Sequence, residues 1–159
     1  MLYMLWISVL VIILDQVTKI WADGSLHYGI PIEITFFFNI NLAYNTGAAF
    51  SFLGNAGGWQ RWMFITLAFA VSAMLVQWLR KTQAHERWQA YGLVLIIGGA
   101  LGNALDRIFY GHVVDFIQFH YAGYAFPTFN VADMSIFCGA MLLIIESFRA
   151  ERQSKKMES

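Results

Sequence analysis

Apolar residues fall into four long blocks along the chain, at about 2–21, 62–79, 91–109 and 131–148, each nearly free of charge. A helix needs roughly 20 apolar residues to cross the hydrocarbon core of a bilayer, so each block predicts a transmembrane helix. Between the first two blocks the pattern changes. Residues 23–58 include IPIEITFFFNINLAYNTGAAFSF, in which Ile30, Ile32, Ile34, Phe36, Phe38, Ile40 and Leu42 recur at every second position. That alternation predicts short strands. Backbone groups on an unpaired sheet edge cannot face lipid, so such strands belong at the membrane surface. The segment 110–130 is expected as a second outer loop. The expected fold is an all-α membrane protein: four transmembrane helices with a small β-cradle at the outer surface between helices 1 and 2, forming a single domain over 1–159.

Composition agrees with this pattern. Hydrophobic residues make up 58% of the chain and charged residues 13%, about half the charge of an ordinary soluble domain. A net charge of zero gives no electrostatic basis for a nucleic-acid partner. The single cysteine, Cys138, rules out an intrachain disulfide and reads as a small packing residue inside the fourth block. A cleaved signal peptide competes for the first block. The block lacks a basic leading region, is long for such a peptide and holds Asp15 and Lys19, so a permanent anchor is expected.

Orientation follows from the basic residues. Arg80, Lys81, Arg87, Arg149, Arg152, Lys155 and Lys156, seven of the ten Lys and Arg, mark one side. The positive-inside rule makes that side cytoplasmic, with both termini on it. All five aspartates, Asp15, Asp23, Asp106, Asp115 and Asp133, then fall in the outer half.

Acids at a membrane boundary are costly unless they are paired, solvated or used. Asp115 follows the third block and Asp133 opens the fourth. Antiparallel packing of those two helices would bring the acids together. Neighbouring carboxylates share one proton, which is what an aspartic protease needs: one acid activates water while the other polarises a carbonyl. The plainer reading is two interfacial acids, with Asn130 or Asp133 serving as a helix cap. Asp15 and Lys19 share a helix face four apart, either as an interfacial ion pair or as a buttress for a site. Asn103 and Arg107 also share a face; Arg107 either snorkels to headgroups or pairs with Asp106. Asn45-Thr46-Gly47 is a turn signal, and Ala48-Ala49 permits close approach. Gly54–Trp59 reads as a flexible link to a lid anchored by Trp59 and Trp62. His112, Asp115 and His120 offer a weak metal cluster with no HExxH motif. Ser51 and Ser135 lack a nucleophile-elbow context. A small ion- or proton-coupled transporter is the rival class, but the acids gather at one face and no span is broken as carrier helices often are.

Five segments in order carry a resemblance: Asp15-Gln16-Val17-Thr18-Lys19; Asn45-Thr46-Gly47-Ala48-Ala49-Phe50-Ser51; Gly98-Gly99-Ala100-Leu101-Gly102-Asn103 through Asp106-Arg107; Val113-Val114-Asp115-Phe116; and Phe129-Asn130-Val131-Ala132-Asp133. Together the chain resembles the lipoprotein signal peptidases, the type II signal peptidases of bacterial inner membranes. The resemblance implies an aspartic endopeptidase that removes the signal peptide of prolipoproteins just before a diacylglyceryl-modified cysteine. It implies a catalytic dyad of Asp115 and Asp133. Asn45, Gly47, Asn103, Arg107, Asn130 and Ala132 match positions that line or support the site, and Asp15, Lys19 and Gly99 match further supporting positions. No metal or other cofactor is implied. The implied partners are prolipoprotein substrates, membrane lipids and globomycin-type inhibitors, with no nucleic acid. The implied location is the inner membrane, with the active site on the periplasmic face.

Overall fold

The computed structural model describes residues 1–47 and 58–157, the last eight of these by backbone alone. A short 3-10 turn, Leu2–Met4, leads into helix α1 (Leu5–Ser25). Strands β1 (Ile32–Thr35) and β2 (Phe38–Asn45) follow, then helices α2 (Trp59–Lys81) and α3 (Arg87–Phe109). Strands β3 (Val113–Tyr121) and β4 (Tyr124–Ala125) precede helix α4 (Val131–Met157). Among the described residues, four helices are long and apolar enough to cross a membrane: Leu2–Ser25, Trp59–Lys81, Arg87–Phe109 and Val131–Arg149. Each overruns its apolar block, because polar flanks such as Lys81, Arg87 and the charged tail are themselves good helix formers.

Two expectations about the sheet change. It is not confined to the segment between helices 1 and 2, and 110–130 is not a plain loop. The sheet is antiparallel in the order β1-β2-β3-β4, so each outer segment supplies two strands. Its longest strand, β3, comes from the second segment. The β2–β3 ladder pairs Ala43 with Asp115 and Ile40 with Ile117, leaving one extra residue on β2 as a bulge. The missed strand has a physical reason. Val113, Val114, Asp115 and Phe116 are all buried, so β3 shows no alternation at the end that enters the protein.

Helix α3 is central. It packs against α1, α2 and α4, and 56% of its apolar window is buried, against 28% or less in the other helices. Small residues allow the close packing. A Cβ on Gly92 would lie 2.9 Å from the Gly139 carbonyl oxygen of α4, and one on Gly98 would lie 2.8 Å from Val11 Cβ of α1. A Cβ on Gly99 would collide with the Ala132 carbonyl oxygen and lie 2.7 Å from Ile136. Gly99→Ala is therefore expected to force α3 and α4 apart at a cost of about 1–3 kcal/mol. The change would show as a lower thermal midpoint accompanied by lost activity, because Asp133 is the residue after Ala132. An unchanged midpoint would contradict the seam.

The interior differs between the two ends of the bundle. At the end carrying the α2–α3 loop it is apolar, formed by Met4, Leu75, Leu79, Leu93, Val94 and Ile97. At the sheet end the buried residues include a polar cluster, Asp15, Lys19, Asn103, Asp106, Asp115 and Asn130, beside apolar ones such as Leu42, Val113 and Val114. The apolar side chains of α1 point the other way: Trp6, Val9, Ile13, Val17 and Ile20 are exposed. Lipid facing the outside stabilises that arrangement, whereas water would not. Cys138, expected as a packing residue, lies on an exposed face of α4.

Candidate active site

The first turn of α4 leaves backbone N–H groups without helical partners, and the site is built around them. Asn130 stands at the N-cap. Its Oδ1 accepts the Asp133 N–H at 2.9 Å, while Asp133 Oδ2 accepts the Asn130 N–H at 3.3 Å. This is a reciprocal capping box in which the N3 acid is Asp133. Asp15 Oδ1, reaching across from α1, accepts the Ala132 N–H at 2.9 Å. The capping role expected of Asn130 or Asp133 is thus shared by both residues.

The remaining bonds of the site follow from groups that can only donate. Asn130 Oδ1 is committed to a backbone N–H, so its Nδ2 points away and donates to Asp115 Oδ1 at 2.6 Å. Lys19 Nζ donates to Asn103 Oδ1 at 2.8 Å, which turns Asn103 Nδ2 toward Asp133 Oδ1 at 2.7 Å. An ammonium and a peptide N–H have no acceptor lone pair, so both amide orientations are fixed by chemistry. Each of Asp115 and Asp133 thus receives one short amide N–H, and Asn130 touches both. Asn45 Nδ2 adds a longer contact to Asp115 Oδ2 at 3.3 Å.

Asp115 is brought here by β3 rather than by a helix end. Burial pushes its carboxyl up to about 7, reinforced by the negative charge of Asp133 and offset by the Asn130 and Asn45 amides and by Lys19. Asp115 and Asp133 line one cavity of about 850 Å³ together with Asn45, Asn103 and Arg107. Its apolar wall comes from Phe129, Ile136, Phe137 and Ala140, among others.

Asp15 and Lys19 are 0% and 2% exposed and pair at 2.8 Å, so they form a buried support and not an interfacial ion pair. Lys19 also pairs with Asp106 at 3.0 Å. Of the two readings open for Arg107, the local pair with Asp106 does not form: Asp106 pairs with Lys19. Arg107 instead donates to the Gly47 carbonyl at 2.7 Å and the Asn103 carbonyl at 3.2 Å, with its guanidinium 4.9 Å from the Phe64 ring centroid. Gly47 N–H donates to Asn45 Oδ1 at 3.0 Å, the expected turn. Sequence reasoning gave no role to Gln16, whose amide donates to Asp106 Oδ1 at 2.7 Å. It also missed the Asp106 contact with the Val114 N–H at 3.1 Å, which ties α3 to β3. An amide beside Asp15 within an apolar block was the available signal.

The weak metal cluster does not assemble. His112 packs against Tyr44 at 4.4 Å between ring centroids. His120 lies five positions beyond Asp115 on β3, so strand alternation sends it to the opposite face. Ser135 lies on α4 outside the cavity lining. Ala48, Ala49, Ser51 and residues 54–57 of the expected 54–59 link lie outside the described residues; Trp59 and Trp62, expected as anchors of a lid, instead lie in the first turn of the long helix α2.

Residues 7–149 match the family model described as Signal peptidase (SPase) II. A protein named lipoprotein signal peptidase from Aeromonas hydrophila is 49% identical over 150 residues, covering 94% of this chain and 90% of the relative. Another of that name, from Ralstonia nicotianae, is 52% identical over 149 residues, covering 94% and 86%. A bacterial membrane enzyme whose structure was determined by the in meso method at 2.3 Å resolution superposes with a TM-score of 0.81. It is 35% identical and covers 91% of this chain and 86% of its own.

Proposed function

The chain belongs to the signal peptidase II family of membrane aspartic proteases and cleaves the signal peptides of prolipoproteins; from that premise we propose that Asp115 and Asp133 are its catalytic pair. The observation that carries this reading is the Asn130 side chain, which hydrogen-bonds Asp115 while its main chain and cap hold Asp133. One carboxylate takes a proton from a water held between the pair, and the other, protonated, donates to the scissile carbonyl oxygen. Water adds to the carbon, and the tetrahedral intermediate collapses as the proton passes to the leaving amine. Asn103 and Asn130 keep both acids aimed at the cavity.

Four helices long and apolar enough to span a bilayer, together with the bacterial family match, support a multi-pass protein of the inner membrane. The finer placement is part of the proposal: both termini cytoplasmic, and the dyad and sheet on the periplasmic side. The basic residues of the α2–α3 loop and the tail support it. A cysteine carrying diacylglyceryl holds the scissile bond at interface depth, level with acids at helix ends, and the apolar cavity wall suits acyl chains. Residues 1–159 act as one peptidase domain, with globomycin-type inhibitors as competitors for the cavity. The family match leaves the transporter alternative without support.

The test is purified protein with diacylglyceryl-modified prolipoprotein in EDTA, assayed across pH. Cleavage just before the modified cysteine is expected. The pair needs one proton, and burial beside the charge of Asp133 pushes the Asp115 carboxyl up to about 7. Log kcat/KM is therefore expected to fall with a slope of about −1 above that pH. Loss of activity in EDTA, or a rate rising through pH 7–9, would refute the mechanism.

A further inference from the structure

Two hairpin tips lie side by side at the far end of the sheet, and the chemistry proposed above does not use them. The β1–β2 turn carries Phe36 and Phe37, and the β3–β4 turn runs Tyr121-Ala122-Gly123-Tyr124. Phe38 pairs with Phe119, and the His120 N–H donates to the Phe37 carbonyl at 2.9 Å, so both turns share one end of the sheet. Phe36 is 78% exposed and Tyr124 81%; Phe37, Phe119, Tyr121 and Phe126 are exposed as well. Residues 34–38 and 119–126 contain no Asp, Glu, Lys or Arg. A contiguous uncharged aromatic surface of this kind is unfavourable in water and marks a contact site.

The sheet does not stand clear of the helices. Phe119 and Phe126, beside the tips, line the same cavity as Phe137 and Ala140 of α4. Ala140 lies seven residues beyond Asp133, about 10 Å further along the helix. The tip end and the apolar length of α4 therefore bound one opening. Met134, Phe137 and Met141 of α4 are exposed, and Phe137 meets Phe119 and Phe126 at the lining of that cavity.

We propose that the hairpin tips around Phe36 and Tyr124 are seated in the bilayer, at the boundary of headgroups and acyl chains in the leaflet that the active site faces. Lipid is the occupant because this surface continues the exposed apolar face of a membrane-spanning helix and carries no charge to pair with a protein partner. Tyr121 and Tyr124 end in hydroxyls, which suit headgroup depth. Seated this way, the sheet rests on the bilayer beside α4, and the cavity between them opens sideways into the leaflet. A lipid-anchored substrate then enters without leaving the membrane. The inference rests on the helices spanning the membrane and not on which acids are catalytic.

The test uses Phe36→Cys, Tyr124→Cys and, as the water-facing control, Glu33→Cys, each with Cys138→Ala and labelled with the environment-sensitive fluorophore NBD. The protein is held at one copy per lipid nanodisc. At 36 and 124, blue-shifted emission is expected, quenched by doxyl-labelled lipid and protected from iodide, with the reverse at 33. Iodide quenching at 36 and 124 equal to that at 33 overturns the proposal. Protection found only when two copies share a disc assigns the surface to a second protomer and overturns it too. The paired change Phe36→Asp with Tyr124→Asp is expected to raise KM several-fold for substrate in vesicles while cleavage in detergent micelles stays unchanged. An unaltered KM in vesicles counts against the proposal.

Discussion

Replacing Asp133 with Asn is expected to lower kcat/KM by about 10⁴-fold, and Asp115→Asn by a similar factor, as when one member of a catalytic constellation is removed. Both substitutions preserve shape. In Asp133→Asn the amide oxygen can still accept from Asn103 and only the longer 3.3 Å contact from the Asn130 N–H is lost; in Asp115→Asn it can still accept from Asn130 and only the 3.3 Å contact from Asn45 is lost. The variants should therefore fold, so lost activity would report lost proton transfer. The double variant should be little worse than either single one, because the two acids act on one water. Asp115→Asn carries a second, independent expectation. Burial raises the Asp115 carboxyl from 3.8 to about 7. The folded state then holds its proton where the unfolded chain releases it, so stability falls as pH rises through that window. An amide suffers no such loss. At pH 8 the variant should melt at a higher temperature than the parent, and the gap should close as pH is lowered toward 4. A variant retaining more than a few per cent of parental activity would remove that acid from the chemistry.

Lys19→Met is expected to be the most damaging change away from the dyad. Lys19 is the cation facing both Asp15 and Asp106, at 2.8 and 3.0 Å, with its side chain 3% exposed. Removing one partner from a buried ionic cluster costs about 3–5 kcal/mol, because the remaining charges stay buried without compensation. In a chain of this size that is a drop in thermal midpoint of roughly 10 °C. Adding Asp106→Asn should restore part of the stability, since it removes one of the stranded acids. Activity should recover less. Without the ammonium, Asn103 Oδ1 keeps only the longer 3.2 Å bond from Asn130 Nδ2, and the N–H it now holds 2.7 Å from Asp133 is less firmly aimed. Small misplacements of catalytic groups cost about 10²-fold in rate. A midpoint within a degree of the parent, or full activity in the double variant, would show that Lys19 neither holds the cluster nor orients Asn103.

The four spans were legible in the sequence because crossing a bilayer sets a length and a polarity that any sufficient apolar block reveals. The two acids were legible because charge at a membrane boundary is rare enough to stand out, and the ordered motifs gave the family. Which way the apolar faces point was not legible. In lipid, outside and inside are both apolar, so the burial of Cys138 and the partner of Arg107 could not be read from periodicity. Arg107 follows Asp106 directly, yet neighbours on a helix point about 100° apart. Asp106 therefore turned to Lys19 on another helix. Strand β3 was hidden for a related reason: buried on both faces where it passes the site, it lost the alternation that reveals a half-buried strand. The amide orientations of Asn103 and Asn130 are wholly a tertiary matter. They depend on an ammonium from α1 and on the first turn of α4, groups that only the folded chain brings within hydrogen-bonding distance.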